Sequence, residues 1–147
     1  MHSHRPFIIG YVEDQALCSV TEDDARKLTH INVAFGRVVD GKVRVSRTTT
    51  LDYIQTLKTY NQDLRVLLSV GGWGAGGFSE SASSAKSRSQ LAASAVELVR
   101  RYGLDGIDLD WEYPCYSVAG IASHPQDKEN LTLLIEELRN KLNALGQ

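Results

Sequence analysis

Asp105-Gly106-Ile107-Asp108-Leu109-Asp110-Trp111-Glu112 is the stretch whose reading decides the fold of this chain. Its preceding residue, Leu104, and its apolar odd positions read as a strand running from Leu104 to Trp111. Side chains alternate faces along a strand, so Asp108, Asp110 and Glu112 share one face and Ile107, Leu109 and Trp111 the other. Successive acids on that face stand about 6.6 Å apart, twice the rise per residue. The apolar face suits packing on helices, which leaves the acids pointing to the opposite side of a sheet or into a barrel. Three acids on a buried face are costly and require a reason. Neighbouring carboxylates resist ionising together, and a carboxyl that stays protonated nearer neutral pH is what a general acid needs. Glu112 lies nearest the C-terminal end of the strand, the end that faces active sites in parallel α/β structures. Two other readings remain open on these residues alone: oxygen ligands for magnesium or calcium, and a structural acid network.

Outward from that strand, the chain alternates strands and helices four times. Phe7-Ile-Ile-Gly-Tyr-Val12 reads as a buried strand, and Thr21 as the N-cap of a short helix with acids in its first turn. His30 to Phe35 is a second strand, followed by a hairpin over Arg37–Val45 turning on Asp40-Gly41. Leu51, Ile54, Leu57 and Tyr60 lie on one face of a helix, and Leu64 to Val70 form a third strand. That strand runs into Gly71-Gly-Trp-Gly-Ala-Gly-Gly77, a flexible stretch, before a helix from about Ser84 to Tyr102 with Leu91, Ala95, Val99 and Tyr102 inward. The last helix is expected to have Pro125 in its first turn and Gly146 at its end. Its stripe, Leu131, Leu134, Ile135, Leu138, Leu142 and Leu145, is packing rather than a cofactor site. Such alternation implies a parallel sheet with outer helices. Pattern alone favours an open doubly wound sheet, because an eight-stranded barrel takes about 250 residues and this chain has 147.

Composition narrows the partners. A formal charge of −2 gives no global argument for nucleic acid or an anionic membrane surface. No apolar run approaches the roughly 18 residues of a membrane span, and the polar start, Met1 to Pro6, has no signal-peptide core. Residues 1–5 are expected to be a tag remnant or a disordered end, with His2 and His4 at most a weak metal pair. Cys18 and Cys115 are too few for a disulfide framework and read as free thiols.

The acidic octapeptide, with Tyr113-Pro114 after it, resembles the signature of family 18 glycoside hydrolases, the chitinase-like enzymes. Ser69-Val-Gly71-Gly72 followed by Trp73, and Asp127-Lys-Glu-Asn130, resemble further parts of the same family. The resemblance covers nearly the whole chain. It implies a different fold class from the open sheet: the N-terminal half, about four βα units, of a TIM-type (β/α)8 barrel with a parallel sheet and outer helices. Residues 1–147 would then be a partial catalytic domain.

The same resemblance implies hydrolysis of β-1,4 links in chitin or N-acetylglucosamine oligosaccharides, with retention and with assistance from the substrate's own acetamido group. Glu112 would be the general acid and base, Asp110 would orient the acetamido group, and Asp108 would share a proton with Asp110. No metal and no cofactor is implied. Tyr11, Phe35, Trp73 and Tyr113 are the candidate sugar contacts. Tyr11 and Phe35 suit the core equally well, and Trp73 also reads as scaffold beside the glycines. Asp105, Ser69, Gly71 and Gly72 read as structural parts of the motifs. An endo-acting hydrolase on N-glycans or wall glycan, and a non-hydrolytic chitin-binding lectin, are the alternatives, the lectin disfavoured because Glu112 is present. Four further βα units of the family barrel are not in the sequence. The isolated chain is therefore expected to be inactive and, with two open sheet edges, to self-associate. The family resemblance is compatible with secretion, while the compartment stays open.

Overall fold

The computed structural model describes residues 6–46 and 48–146; residues 1–5, with His2 and His4, lie outside them. Four parallel strands form the sheet: β1 (Ile9–Glu13), β2 (His30–Val39), β4 (Arg65–Gly71) and β5 (Gly106–Asp110). They stand side by side in chain order, β1-β2-β4-β5. A short β3 (Lys42–Arg44) pairs antiparallel with the far end of β2. That hairpin turns at Asp40 and Gly41, both with positive φ (51° and 70°), as the Asp-Gly pair predicts. The consecutive order has no point at which the strands reverse direction of travel. The doubly wound alternative requires such a point, so this sheet is of the singly wound, barrel-forming kind, not closed on itself.

Helices follow each strand. A 3₁₀ turn (Asp14–Ser19) leads to α1 (Glu22–Lys27), where Thr21 and Asp24 cap one another reciprocally. The third parallel strand, β4, is preceded by α2 (Thr48–Leu51) and α3 (Tyr53–Tyr60), and followed by α4 (Phe78–Ala82) and α5 (Ala85–Tyr102). Ser84 caps α5, and Gly103, with φ 64°, ends it in a left-handed conformation. After β5 a long loop reaches α6 (Asp127–Ala144).

The core lies between the sheet and these helices. Ile31 and Val33 of β2, with Val66, Leu68 and Val70 of β4, are buried against Leu17, Ile54, Leu57, Leu91, Ala95, Val99 and Leu134. At about 25 cal/mol per Å² this apolar burial is the main stabilising term. The opposite face carries Tyr11, Asn32, Ala34, Leu67, Ser69, Asp108 and Asp110, which adjoin one another through the strand register.

Several expectations need correction. The first strand is not buried: Phe7, Ile8, Ile9 and Tyr11 are 78%, 49%, 54% and 60% exposed, because β1 is an edge strand with no neighbour on one side. The stripe on α6 is buried at Leu134, Leu138 and Leu142 but open at Ile135, beside the free edge of β5, and at Leu145, beside α5. Pro125 precedes the helix rather than sitting in its first turn, with Gln126 at the N-cap. The glycine-rich stretch is followed by α4, which a helix starting at Ser84 does not anticipate. Cys18 and Cys115 are free, and both are exposed. No helix among the described residues is long and apolar enough to cross a membrane.

Candidate active site

Parallel strands deliver their C-terminal ends to one rim of the sheet, and the acids converge there. Asp108 lies at the level of Ser69 and Asp110 at the level of Gly71. β5 ends at Asp110, so Trp111 and Glu112 are not strand residues. Strand alternation therefore accounts for Asp108 and Asp110 but not for Glu112. The position of Glu112 is set instead by Trp111, whose buried ring stacks on Phe78 of α4 with centroids 5.3 Å apart and planes 14° from parallel. The backbone then turns through a cis peptide bond between Glu112 and Tyr113; a second one lies between Ala34 and Phe35.

Of the acids at this rim, Asp108 is the one held by two hydrogen bonds. Its Oδ2 accepts hydrogen bonds from the Tyr11 hydroxyl (2.9 Å) and from Ser69 Oγ (2.7 Å). Tyr11 thus reaches across the open face from β1 to β5, two strands away from its own neighbour. Asn32, between them on β2, also contacts the phenol; its hydrogen bond pulls the Tyr11 pKa down, but desolvation and the Asp108 carboxylate together hold it above the ordinary value. Ser69 is fully buried and serves Asp108. No sequence argument singled out Asn32. The signal in the sequence is a polar residue within the apolar run Ile31 to Phe35, and the structure buries it.

Among the described residues no cation pairs with Asp110. Burial raises its pKa, and the charges of Glu112 and Asp108 raise it further. Tyr113 is raised chiefly by the charge of Glu112, to which its side chain is also hydrogen-bonded. Glu112 is thus near enough to both Asp110 and Tyr113 for its charge to act on each. Among the described residues, no three His, Cys, Asp or Glu side chains converge in a group suited to a metal ion.

The two glycines of the third strand end make this convergence possible. Gly71 has φ 129°, and a Cβ there would stand 2.0 Å from the carbonyl oxygen of Asp110. Gly72, with φ 92°, donates its N–H to that same oxygen at 2.9 Å, and a Cβ on it would press on the Phe35 ring at 3.2 Å. Phe35 sits where the β2–β4 register shifts between Ala34 and Gly36, half-buried, with the Arg37 guanidinium 5.7 Å over its ring. Beside it a cavity of about 320 Å³ is lined by Glu13, Asp14, Phe35 and Arg37. Trp73 is 62% exposed and meets Tyr113 edge to face at 6.4 Å, so it is not a core residue of the glycine loop. Of the aromatic candidates, Tyr11, Trp73 and Tyr113 border the acids, and Phe35 lies between core and rim.

Asp105 is at the other end of the strand. It forms ion pairs with Lys58 (2.8 Å) and Arg65 (3.1 Å) and accepts from the Val66 N–H (2.8 Å), a structural role in keeping with its different parity.

The family model described as glycosyl hydrolases family 18 matches residues 8–147. This chain belongs to glycosyl hydrolase family 18. The family 18 chain is 43% identical over 98 residues to chitinase A1 of Niallia circulans, covering 65% of this chain and 14% of that protein. It is 37% identical over 120 residues to chitotriosidase-1 of Mus musculus, covering 78% and 25%. Among solved structures it superposes on a family 18 N-acetylglucosaminidase from Paenibacillus barengoltzii with TM-score 0.92 and 48% identity, over 96% of this chain and 42% of that one. The chitinase domain of the spore coat protein CotE from Clostridium difficile follows at TM-score 0.85 and 36% identity, over 95% and 39%. The chain thus spans about a quarter or less of these two curated relatives and about two fifths of these solved chains. The sheet is of the α/β barrel type found in these family 18 structures.

Proposed function

We propose that this family 18 chain carries the acid machinery for hydrolysing β-1,4 links between N-acetylglucosamine units. The observation that supports it most is the row Asp108, Asp110, Glu112 at the C-terminal rim, with Asp108 held by Tyr11 and Ser69 and Glu112 left at the open end. In this reading Glu112 protonates the leaving glycosidic oxygen as the substrate's acetamido oxygen attacks the anomeric carbon. The C–O bond breaks and a cyclic oxazolinium forms, so no enzyme nucleophile is needed. Asp110, with no cation paired to it among the described residues, receives the acetamido N–H and balances the positive charge of the intermediate. Glu112, now a carboxylate, takes a proton from water as the water oxygen bonds to the anomeric carbon from the face the leaving group vacated. The oxazolinium C–O bond at that carbon breaks, its electron pair returns to the acetamido group, and the carboxylic acid is restored. Asp108 orients Asp110 and shares its proton. Tyr11, Phe35, Trp73 and Tyr113 supply faces on which pyranose rings pack. Neither a metal nor an organic cofactor takes part.

The isolated 147-residue chain is inactive in this reading, because the acid face is open to water and the acids are only partly buried. The test is an assay of the full-length protein, the isolated chain and E112Q on a fluorogenic chitobioside. Loss of about 100-fold or more in E112Q is expected; hydrolysis that survives the substitution sinks the mechanism. The likeness to an N-acetylglucosaminidase favours a second reading, release of single N-acetylglucosamine units from a chain end. Product analysis on a chitohexaose separates the two, since monomer alone from the outset supports the second.

Self-association belongs to the same proposal. β1 and β5 both present unpaired edges, and Phe7, Ile8, Ile9 and Ile135 are exposed near them. A second copy can cover these edges. Sedimentation of the isolated chain is expected to show a dimer, and a monomer at high concentration counts against it.

A further inference from the structure

Asp127 is a fully buried carboxylate that the mechanism above does not use. An ionised carboxylate in the interior is costly unless its oxygens are satisfied. Here they are: Oδ1 accepts from Ser79 Oγ at 2.7 Å, and Oδ2 accepts from the backbone N–H groups of His124 (2.7 Å) and Cys115 (3.2 Å). As the first residue of α6 it also gains from the helix dipole. These bonds tie together three separate pieces of chain. Cys115 is only three residues beyond Glu112 and holds φ 64°, a left-handed conformation at a residue with a side chain. The loop between β5 and α6 has no regular structure of its own beyond a few turns.

Two anchors therefore bracket Glu112 and Tyr113. On the near side the Trp111 ring stacks on Phe78. On the far side the Cys115 amide is held by Asp127, which is itself held by Ser79. Phe78 and Ser79 are consecutive residues of α4, so one short helix fixes both ends of the segment that carries Glu112. Displacement by about 1 Å at a reacting group can cost on the order of 100-fold in rate, so a clamp at this point has a catalytic consequence as well as a structural one.

We propose that Asp127, clamped by Ser79, is a positioning residue for Glu112. The proposal rests on the reading of Glu112 as the general acid. The test compares D127A, D127N, S79A and E112Q in the full-length protein, with kcat and KM on a chitobioside and amide hydrogen exchange at Cys115 and His124. D127A is expected to lower kcat about 100-fold with KM within about twofold, and to lose protection at both amides while α5 keeps its own. D127N is expected to restore most of kcat, because its amide oxygen can face the two N–H groups while its NH₂ donates to Ser79 Oγ. S79A is expected to lower kcat about fivefold, the effect of one hydrogen bond. A merely structural Asp127 would lower the melting temperature and leave kcat per folded molecule unchanged; that result overturns the proposal. If D127A does not fold, S79A decides, and wild-type kcat there overturns the proposal too. Activity retained in E112Q overturns the general-acid reading instead, and the two failures are distinguished.

Discussion

The two ends of β5 bear acids in opposite electrostatic settings. At the N-terminal end Asp105 is partly desolvated, which alone would raise its pKa, yet Lys58, the Val66 N–H and Arg65 outweigh that and hold it below its ordinary value of 3.8. At the C-terminal end Asp110 is desolvated as well, but its nearest charges are Glu112 and Asp108, and it is raised. Five residues apart, one just before β5 and the other its last residue, one carboxylate stabilises the fold and the other is held at a cost. The contrast separates a structural acid from a functional one better than burial does, since Asp105 and Asp110 are both half-buried. A fold keeps an unbalanced acid cluster only where something other than stability retains it.

The largest effect on this comparison is expected from the backbone that brings β4 against Asp110. G71A would place a methyl 2.0 Å from the Asp110 carbonyl in a φ region that side chains avoid. A loss of about 3 kcal/mol or more is expected, read by urea denaturation; a loss below about 1 kcal/mol would show that the strands separate easily there. Breaking the balanced end is the next largest effect. D105N is expected to cost about 1–2 kcal/mol at neutral pH, since Arg65 is largely solvated while Lys58 is mostly covered. Because the folded pKa of Asp105 is lowered, its contribution is complete above 3.8 and fades as pH falls through the folded value. Wild type and D105N should therefore melt together at the acid extreme and apart at pH 7; a constant difference would contradict the ion-pair account.

The acid row shows how far residues alone can carry such a comparison. Alternation along the strand placed Asp108 and Asp110 on one face and Asp105 apart, and the Asp40-Gly41 turn and the Thr21 cap were equally legible, because each depends only on near neighbours. What escaped depends on distant ones. The exposure of Phe7 to Tyr11 is decided by the missing neighbour of β1, not by its apolar composition. Glu112 reads as a strand residue, whereas its place comes from Trp111 stacking on a helix 33 residues upstream. Tyr11 joins Asp108 across two intervening strands, with Asn32 of the first of them beside its phenol, and Asp127 joins Ser79 across 48 positions. Hydrogen bonds of that span leave no periodic trace in the chain.

The smallest effect has the opposite sign. Replacing Asp110 by asparagine removes one of three crowded acids and keeps the shape. The folded pKa of Asp110 is raised, so the wild type carries no penalty below 3.8 and accumulates one as pH rises through the folded value. D110N is therefore expected to be more stable than wild type at pH 7, by a few tenths to about 1 kcal/mol given how solvent-accessible the site is. At pH 3 the advantage should vanish, because Asp110 is then protonated in both states. Turnover should fall by about 100-fold in the same variant, since an amide cannot balance a developing positive charge. Thermal melts at the two pH values and an assay of one preparation check all three statements. A variant less stable at pH 7 would mean that Asp110 is paired after all, and the contrast between the two ends of β5 would be lost.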